Sequence, residues 1–196
     1  CSSQVLISNC LLLDEDKKKF LESNGCGISF SFDGLWNDDS RPLKGGGASL
    51  QHYLDNKEFY KKLNGCKVMI SPYNTKTMTE NFIFFADEFG FNVPDFSLVR
   101  DDIWTDEDVE IFRVECKRVA NEVIKRFNSG KSQNIGLFNL MLLDIIVSAK
   151  CGKRPMGCFA GCSGVGFLPD GVFYPCARFG SERGFPLLDV HSGHLY

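Results

Sequence analysis

The sequence predicts an α/β fold: a parallel sheet with its helices, then a smaller cysteine- and glycine-rich region built on a β-hairpin. Three observations lead there. Strand-like and helix-like segments alternate from Val5 to Asn128, the rhythm of βαβ units. The style changes near residue 150, after which four cysteines and many glycines crowd residues 151–180 with little helical pattern. Within that stretch Asp170-Gly171 sits between Phe167-Leu168 and Val172-Phe173-Tyr174, a hairpin signal.

Val5-Leu6-Ile7 reads as a short apolar strand, and Asp14 opens a charged helix that stops at Asn24-Gly25. Ile28 to Asp33 alternates apolar and polar, as a strand does, and Gly34 ends it. Residues 35–48 are polar and Gly-rich and read as a loop. Leu50 to Leu63 reads as a helix, with Leu50, Tyr53, Leu54, Phe59 and Leu63 inward and Gly65 at its end. Lys67 to Ser71 is a third strand, cut by Pro72. Thr77 and Glu80 form a capping-box pattern for a helix ending at Gly90, and Phe96 to Val99 is a fourth strand. Thr105 opens the longest helix, whose apolar face carries Val109, Phe112, Cys116, Val119, Val123 and Phe127.

The 196 residues are 43% hydrophobic and 13% aromatic, enough to bury a core. With 22 basic and 25 acidic side chains the net charge is -3, which argues against a nucleic-acid partner. No apolar run reaches the ~18 residues of a membrane helix, so no membrane partner is expected. The longest run, from Ile135 to Ala149, contains Asn139 and Asp144 and reads as a core helix. No segment reads as a secretory leader. The nine cysteines are an odd number, so a reducing, cytoplasmic setting is expected, where clustered thiols suggest metal. The chain begins at Cys1 rather than Met and stops at Tyr196, so a fragment is expected.

Two places carry chemistry. Ser29, Ser31 and Asp33 share the polar face of the second strand, at its carboxyl end, and a Gly-rich loop with Arg41 follows. In an α/β barrel that end is where function sits, so Ser31 and Asp33 would hold a polar ligand with a charged tail; an ordinary solvated face is the alternative. Cys158, Cys162 and Cys176 are spaced for an iron–sulfur cluster or zinc, with Cys151 available as a fourth ligand; buried apolar thiols are the alternative. Cys26, Cys66 and Cys116 read as packing, His52 as surface, and Asp101 and Asp102 as a solvated turn.

Several segments resemble radical SAM enzymes that carry a C-terminal SPASM domain, the relatives of anaerobic sulfatase-maturing enzymes and peptide maturases. Val5 to Leu13 is similar to their third barrel strand, with Cys10 in place of a Gly. Ile28 to Gly34 is similar to the fourth, and Cys158 to Phe179 to the first half of SPASM, including Gly171 followed after four residues by Cys176. The resemblance implies part of a (β/α)6 TIM-like barrel over 1–130, a connecting helix over 131–150 and an incomplete SPASM domain over 151–196. It implies that Ser31, Arg41 and Leu98 contact S-adenosylmethionine and that Cys158, Cys162 and Cys176 ligate an auxiliary [4Fe-4S] cluster. It implies reductive cleavage of S-adenosylmethionine, with the 5′-deoxyadenosyl radical taking hydrogen from a peptide or protein side chain. The implied partners are that substrate and an electron donor such as flavodoxin or ferredoxin. The Cys-x3-Cys-x2-Cys motif, the Gly-Gly-Glu motif and the later SPASM cysteines are absent, so the chain alone would not turn over. Ala177 stands where the sulfatase-maturing enzymes have Asp, which leaves a general maturase. The rival readings are a non-catalytic iron–sulfur or zinc electron-transfer module, and a metal-free barrel hydrolase or lyase. The hydrolase or lyase lacks any nucleophile–base motif.

Overall fold

Strand alternation in the sequence becomes a parallel sheet in the computed structural model, which describes residues 4–99, 102–151, 165–176 and 185–195. The chain divides into two compact units, Cys1–Leu142 and Leu143–Tyr196.

In the first unit, β1 (Gln4–Ser8), β2 (Cys26–Ser31), β3 (Gly65–Ile70) and β4 (Asp95–Leu98) form one parallel sheet in the order β1-β2-β3-β4. Each strand pairs with the next in the chain, so every connection winds the same way along the sheet. The register sets Ser31 beside Lys67 and Lys67 beside Asp95. Because side chains alternate, one face then carries Ile28, Phe30, Cys66, Val68, Ile70 and Phe96, all buried. The other carries Ser29, Ser31, Lys67, Met69 and Ser97, all half-buried, and the exposed Val5 and Ile7.

The helices follow from their end signals. Asp14 caps α1 (Glu15–Ser23) through Lys17 N at 2.9 Å. The expected helix over 50–63 is two pieces, α3 (Leu50–Asp55) and α4 (Lys57–Tyr60), after the short α2 (Asn37–Ser40) within the expected loop. Asn56 interrupts them, its side chain donating to the His52 carbonyl. α5 (Met78–Phe84) runs on through a π-helical turn, Phe85–Phe89, and ends at Gly90 with φ 67. Its expected capping box does not form. Thr77 instead accepts from the Trp36 indole at 2.8 Å, and Glu80 pairs with Arg118. α6 (Asp106–Asn128) does open on a capping box, Thr105 with Asp108. Phe112, Cys116, Val119 and Val123 of α6 reach the core, while Val109 and Phe127 stay exposed.

That core is aromatic. Phe32 is fully buried and lies 4.4 Å from the Tyr53 ring centroid and 5.3 Å from that of Phe89. Such pairs contribute about 0.5–1.5 kcal/mol each beyond area burial. α7 (Gly136–Cys151) corrects one expectation. Ile135 before it, Leu137 and Phe138 pack on the core, but Leu140, Met141, Leu142, Leu143, Ile145 and Ile146 are exposed. An all-apolar helix needs cover on every side to be a core helix, and among the described residues the middle of this one lacks it. No helix of the described residues is long and apolar enough to cross a membrane.

In the second unit, β5 (Gly166–Phe167), β6 (Val172–Tyr174) and β7 (Leu188–Asp189) form an antiparallel sheet in sequence order. The expected hairpin turns at Gly171, φ 81, whose N–H donates to the Leu168 carbonyl at 3.0 Å. Asp170 secures it, accepting from Val172 N at 3.0 Å and from the Tyr174 hydroxyl at 2.8 Å.

Candidate functional site

The carboxyl ends of β1, β2 and β3 are built by turns whose polar side chains bond to backbone. After β1, Cys10 is buried at φ 57, the left-handed region. A side chain there costs about 1–2 kcal/mol. The cost is offset by bonds to the turn: the Tyr53 hydroxyl donates to the Asn9 carbonyl at 2.7 Å and the Tyr60 hydroxyl to the Cys10 carbonyl at 3.2 Å. Burial pushes the Cys10 thiol up to about 11 and the Tyr60 hydroxyl up to about 12. An apolar cleft of about 580 Å³ lies beside this turn, lined by Leu6, Leu13, Phe20 and Leu21 among others.

After β2 the chain makes a tight turn at Gly34, φ 65, where an added Cβ would stand 2.2 Å from Asn81 Oδ1. Asn81 spans the turn, accepting from Leu35 N and donating to the Asp33 carbonyl. Asp33 is 1% exposed. Its Oδ1 accepts from Met69 N at 2.8 Å and from Arg41 Nη2 at 3.3 Å. Its Oδ2 accepts from Arg41 Nε at 2.7 Å and from Ser40 Oγ at 2.6 Å. The sequence reading that Asp33 faces a ligand is therefore corrected: its carboxylate is committed to β3 backbone and to Arg41. Asp38 then closes the Gly-rich loop, accepting from Ser49 N and Leu50 N.

Ser31 and Arg41 thus lie at the same end of β2, Ser31 on the open face and Arg41 tied to Asp33. Leu98 ends β4, in register with Ile70, and packs toward the core, on the opposite side of the sheet from Ser31. The open face also holds Lys67, which donates to Asp95 Oδ2 at 2.9 Å and to Ser97 Oγ at 3.3 Å. After β3, Asn74 turns the chain, accepting from Ser71 N and donating to the Met69 carbonyl. Exposed Tyr73 and Ile103 border a second cleft there with Asp102. Asp101 lies outside the described residues.

A hydroxyl and a guanidinium edge suit the carboxylate and polar atoms of an amino-acid head group.

In the second unit, Cys176 is a half-buried free thiol that follows β6 by two residues. Its hairpin is tightly specified: a Cβ on Gly171 would come within 2.3 Å of His191 Nε2. Cys158 and Cys162 lie outside the described residues. Among the described residues no three His, Cys, Asp or Glu side chains group to hold a metal. The other two cysteines expected to act with Cys176 lie in the segment not described. Cys66 is buried among core side chains, and burial, with Asp33 nearby, raises its thiol well above the ordinary value. His52 is exposed, with Nε2 3.1 Å from the Tyr60 hydroxyl.

Sequence reasoning missed the buried charges. Glu115 accepts from Thr79 N at 2.9 Å and Oγ1 at 2.7 Å. Arg126 meets Asp87 at 2.8 Å and 3.0 Å. A signal existed: Glu115 falls within the Phe112–Cys116–Val119–Val123 stripe of α6 and Arg126 continues it by one turn, where a charge is out of place unless paired.

No family model and no curated protein matches the chain. Solved structures do. One is a polyhistidine-tagged anaerobic sulfatase-maturing enzyme, anSMEcpe, with bound AdoMet, similar at 18% identity with a TM-score of 0.69 over 96% of this chain. Native anSMEcpe with bound AdoMet is similar at 19% identity and a TM-score of 0.65 over 93%. The chain spans 51% and 52% of those two chains, about half their length. It shares the fold of a radical SAM enzyme.

Proposed function

We propose that this chain is part of a radical SAM/SPASM maturase acting on a peptide or protein. One observation supports the reading: Ser31 ends β2 and Asp33, two residues beyond it, holds Arg41, in a fold shared with chains that bind AdoMet. A parallel sheet in consecutive order, with its core on one face, is what a stretch of a (β/α)6 barrel has. In this reading the Arg41 guanidinium takes the methionyl carboxylate and the Ser31 hydroxyl binds beside it. Leu98, expected from the resemblance to touch the adenosine, packs on the core side of the sheet and drops out of this ligand set. Cys176, with Cys158 and Cys162, holds an auxiliary [4Fe-4S] cluster on the hairpin that Gly171 permits. When bound, S-adenosylmethionine and a reduced cluster supply the one-electron chemistry that removes hydrogen from the substrate; flavodoxin or ferredoxin supplies the electron. The chain lacks Cys-x3-Cys-x2-Cys, so alone it binds rather than turns over.

The test is iron, sulfide and zinc content after strictly anaerobic reconstitution, on the chain and on Cys176→Ser. Equal iron and sulfide, lost in the variant, is the expected result. Stoichiometric zinc, or no metal with unchanged folding, would overturn the cluster assignment and favour a zinc or structural module.

A further inference from the structure

Arg41 is a cation with most of its charge cancelled. Its Nε and Nη2 are both held by Asp33, at 2.7 Å and 3.3 Å. Asp33 is nearly inaccessible while the Arg41 side chain is 30% exposed. Among the described residues Nη1 has no hydrogen-bond partner, so the guanidinium presents one fixed edge outward while an anion is locked behind it. Lys67, on the open face of the same sheet, is matched in the same way by Asp95 at 2.9 Å. A lone arginine at this strand end would draw any anion, phosphates included. Paired as it is, it offers directed hydrogen bonds with little net field.

We infer that Asp33 is a positioning residue that also sets charge selectivity, making this site prefer a ligand with net positive charge over a neutral or anionic one of the same shape. The inference rests on the proposed S-adenosylmethionine reading. That ligand carries an ammonium, a sulfonium and a carboxylate. S-adenosylhomocysteine keeps the ammonium and carboxylate and lacks the sulfonium. The carboxylate meets Arg41 in both, so the hold of Asp33 on Arg41 acts on both ligands alike, and the charge of Asp33 separates them only through the sulfonium. Asp33 does not touch the ligand; it acts through Arg41 and through its own charge.

The experiment is calorimetric titration of the chain, Asp33→Asn and Arg41→Gln with S-adenosylmethionine and S-adenosylhomocysteine. In Asp33→Asn both ligands weaken, and the preference for the sulfonium falls by roughly tenfold, the effect of a unit charge at several ångströms in a partly solvated site. In Arg41→Gln both weaken and the preference rises, so the inference remains testable if Asp33→Asn does not fold. An unchanged preference in either folded variant would overturn it and leave Asp33 as a brace for Met69. A chain that binds neither ligand would overturn the proposed function, and this inference with it. A readout without ligand separates the two: the Arg41 Nε–H proton should exchange slowly in the chain and fast in Asp33→Asn. Equal exchange in the two would overturn the positioning role whatever the ligand.

Discussion

Replacing Glu115 by alanine should destabilise the first unit by about 3–5 kcal/mol, the range for breaking a buried charged network from one side. The structure sets that figure. The Glu115 side chain is 4% exposed. It accepts from Thr79 N and Oγ1, at 2.9 Å and 2.7 Å, and Thr79 is itself buried. Each bond to a charged acceptor contributes about 1.5–3 kcal/mol, and truncation leaves the Thr79 groups without an acceptor. The Arg118 pair adds little, because Arg118 is half exposed and water replaces its partner. Glu115→Gln keeps one oxygen for Thr79 and should cost about 1–2 kcal/mol. The assay is urea unfolding followed by far-ultraviolet circular dichroism, read as a midpoint shift at constant slope. A cycle with Thr79→Val should give a coupling of about 1.5–3 kcal/mol. A loss below about 1 kcal/mol for Glu115→Ala, or no coupling, would refute the view that this carboxylate joins α5 to α6.

Three further outcomes are expected. Gly34→Ala should cost at least about 2 kcal/mol in the same assay, since the new methyl meets Asn81 and Phe85 at a left-handed φ; a loss under half that would mean the turn relaxes freely. Asp87 has its carboxyl held below the usual range by hydrogen bonds from Arg126. A lowered folded value means its stabilisation is complete above about pH 4, the ordinary aspartate value, and is lost as pH falls through the lowered one. Asp87→Asn should therefore flatten the acid limb of stability against pH, and an unaltered limb would contradict the assignment. Cys66 and Cys10, whose thiols burial has raised, should resist iodoacetamide at about pH 8 until the chain unfolds; peptide mapping that finds either alkylated in the native chain would contradict the packing.

Local patterns carried far in this chain. Asp14 and Thr105 start helices and Gly90 and Gly171 end or turn segments where the sequence alone says they should. The reason is that caps and left-handed glycines act on bonds within a few residues. The alternation of Ile28 to Ser31 likewise told which strand face is buried, because the pleat has a period of two.

What needed tertiary structure is whatever depends on residues far apart. Thr77 looks like a cap by its neighbours, yet Trp36 claims its hydroxyl from forty-one residues away. Asp33 looks like a ligand contact by its strand, yet Met69, Ser40 and Arg41 occupy its carboxylate. Ile135 to Ala149 looks like core by its composition, yet burial is decided by what packs on a helix, which its own residues do not encode. The sequence determined the four strands and the helix ends that local caps and glycines set; tertiary structure decided which charges meet, because a buried charge is tolerated only where distant backbone and side chains converge on it.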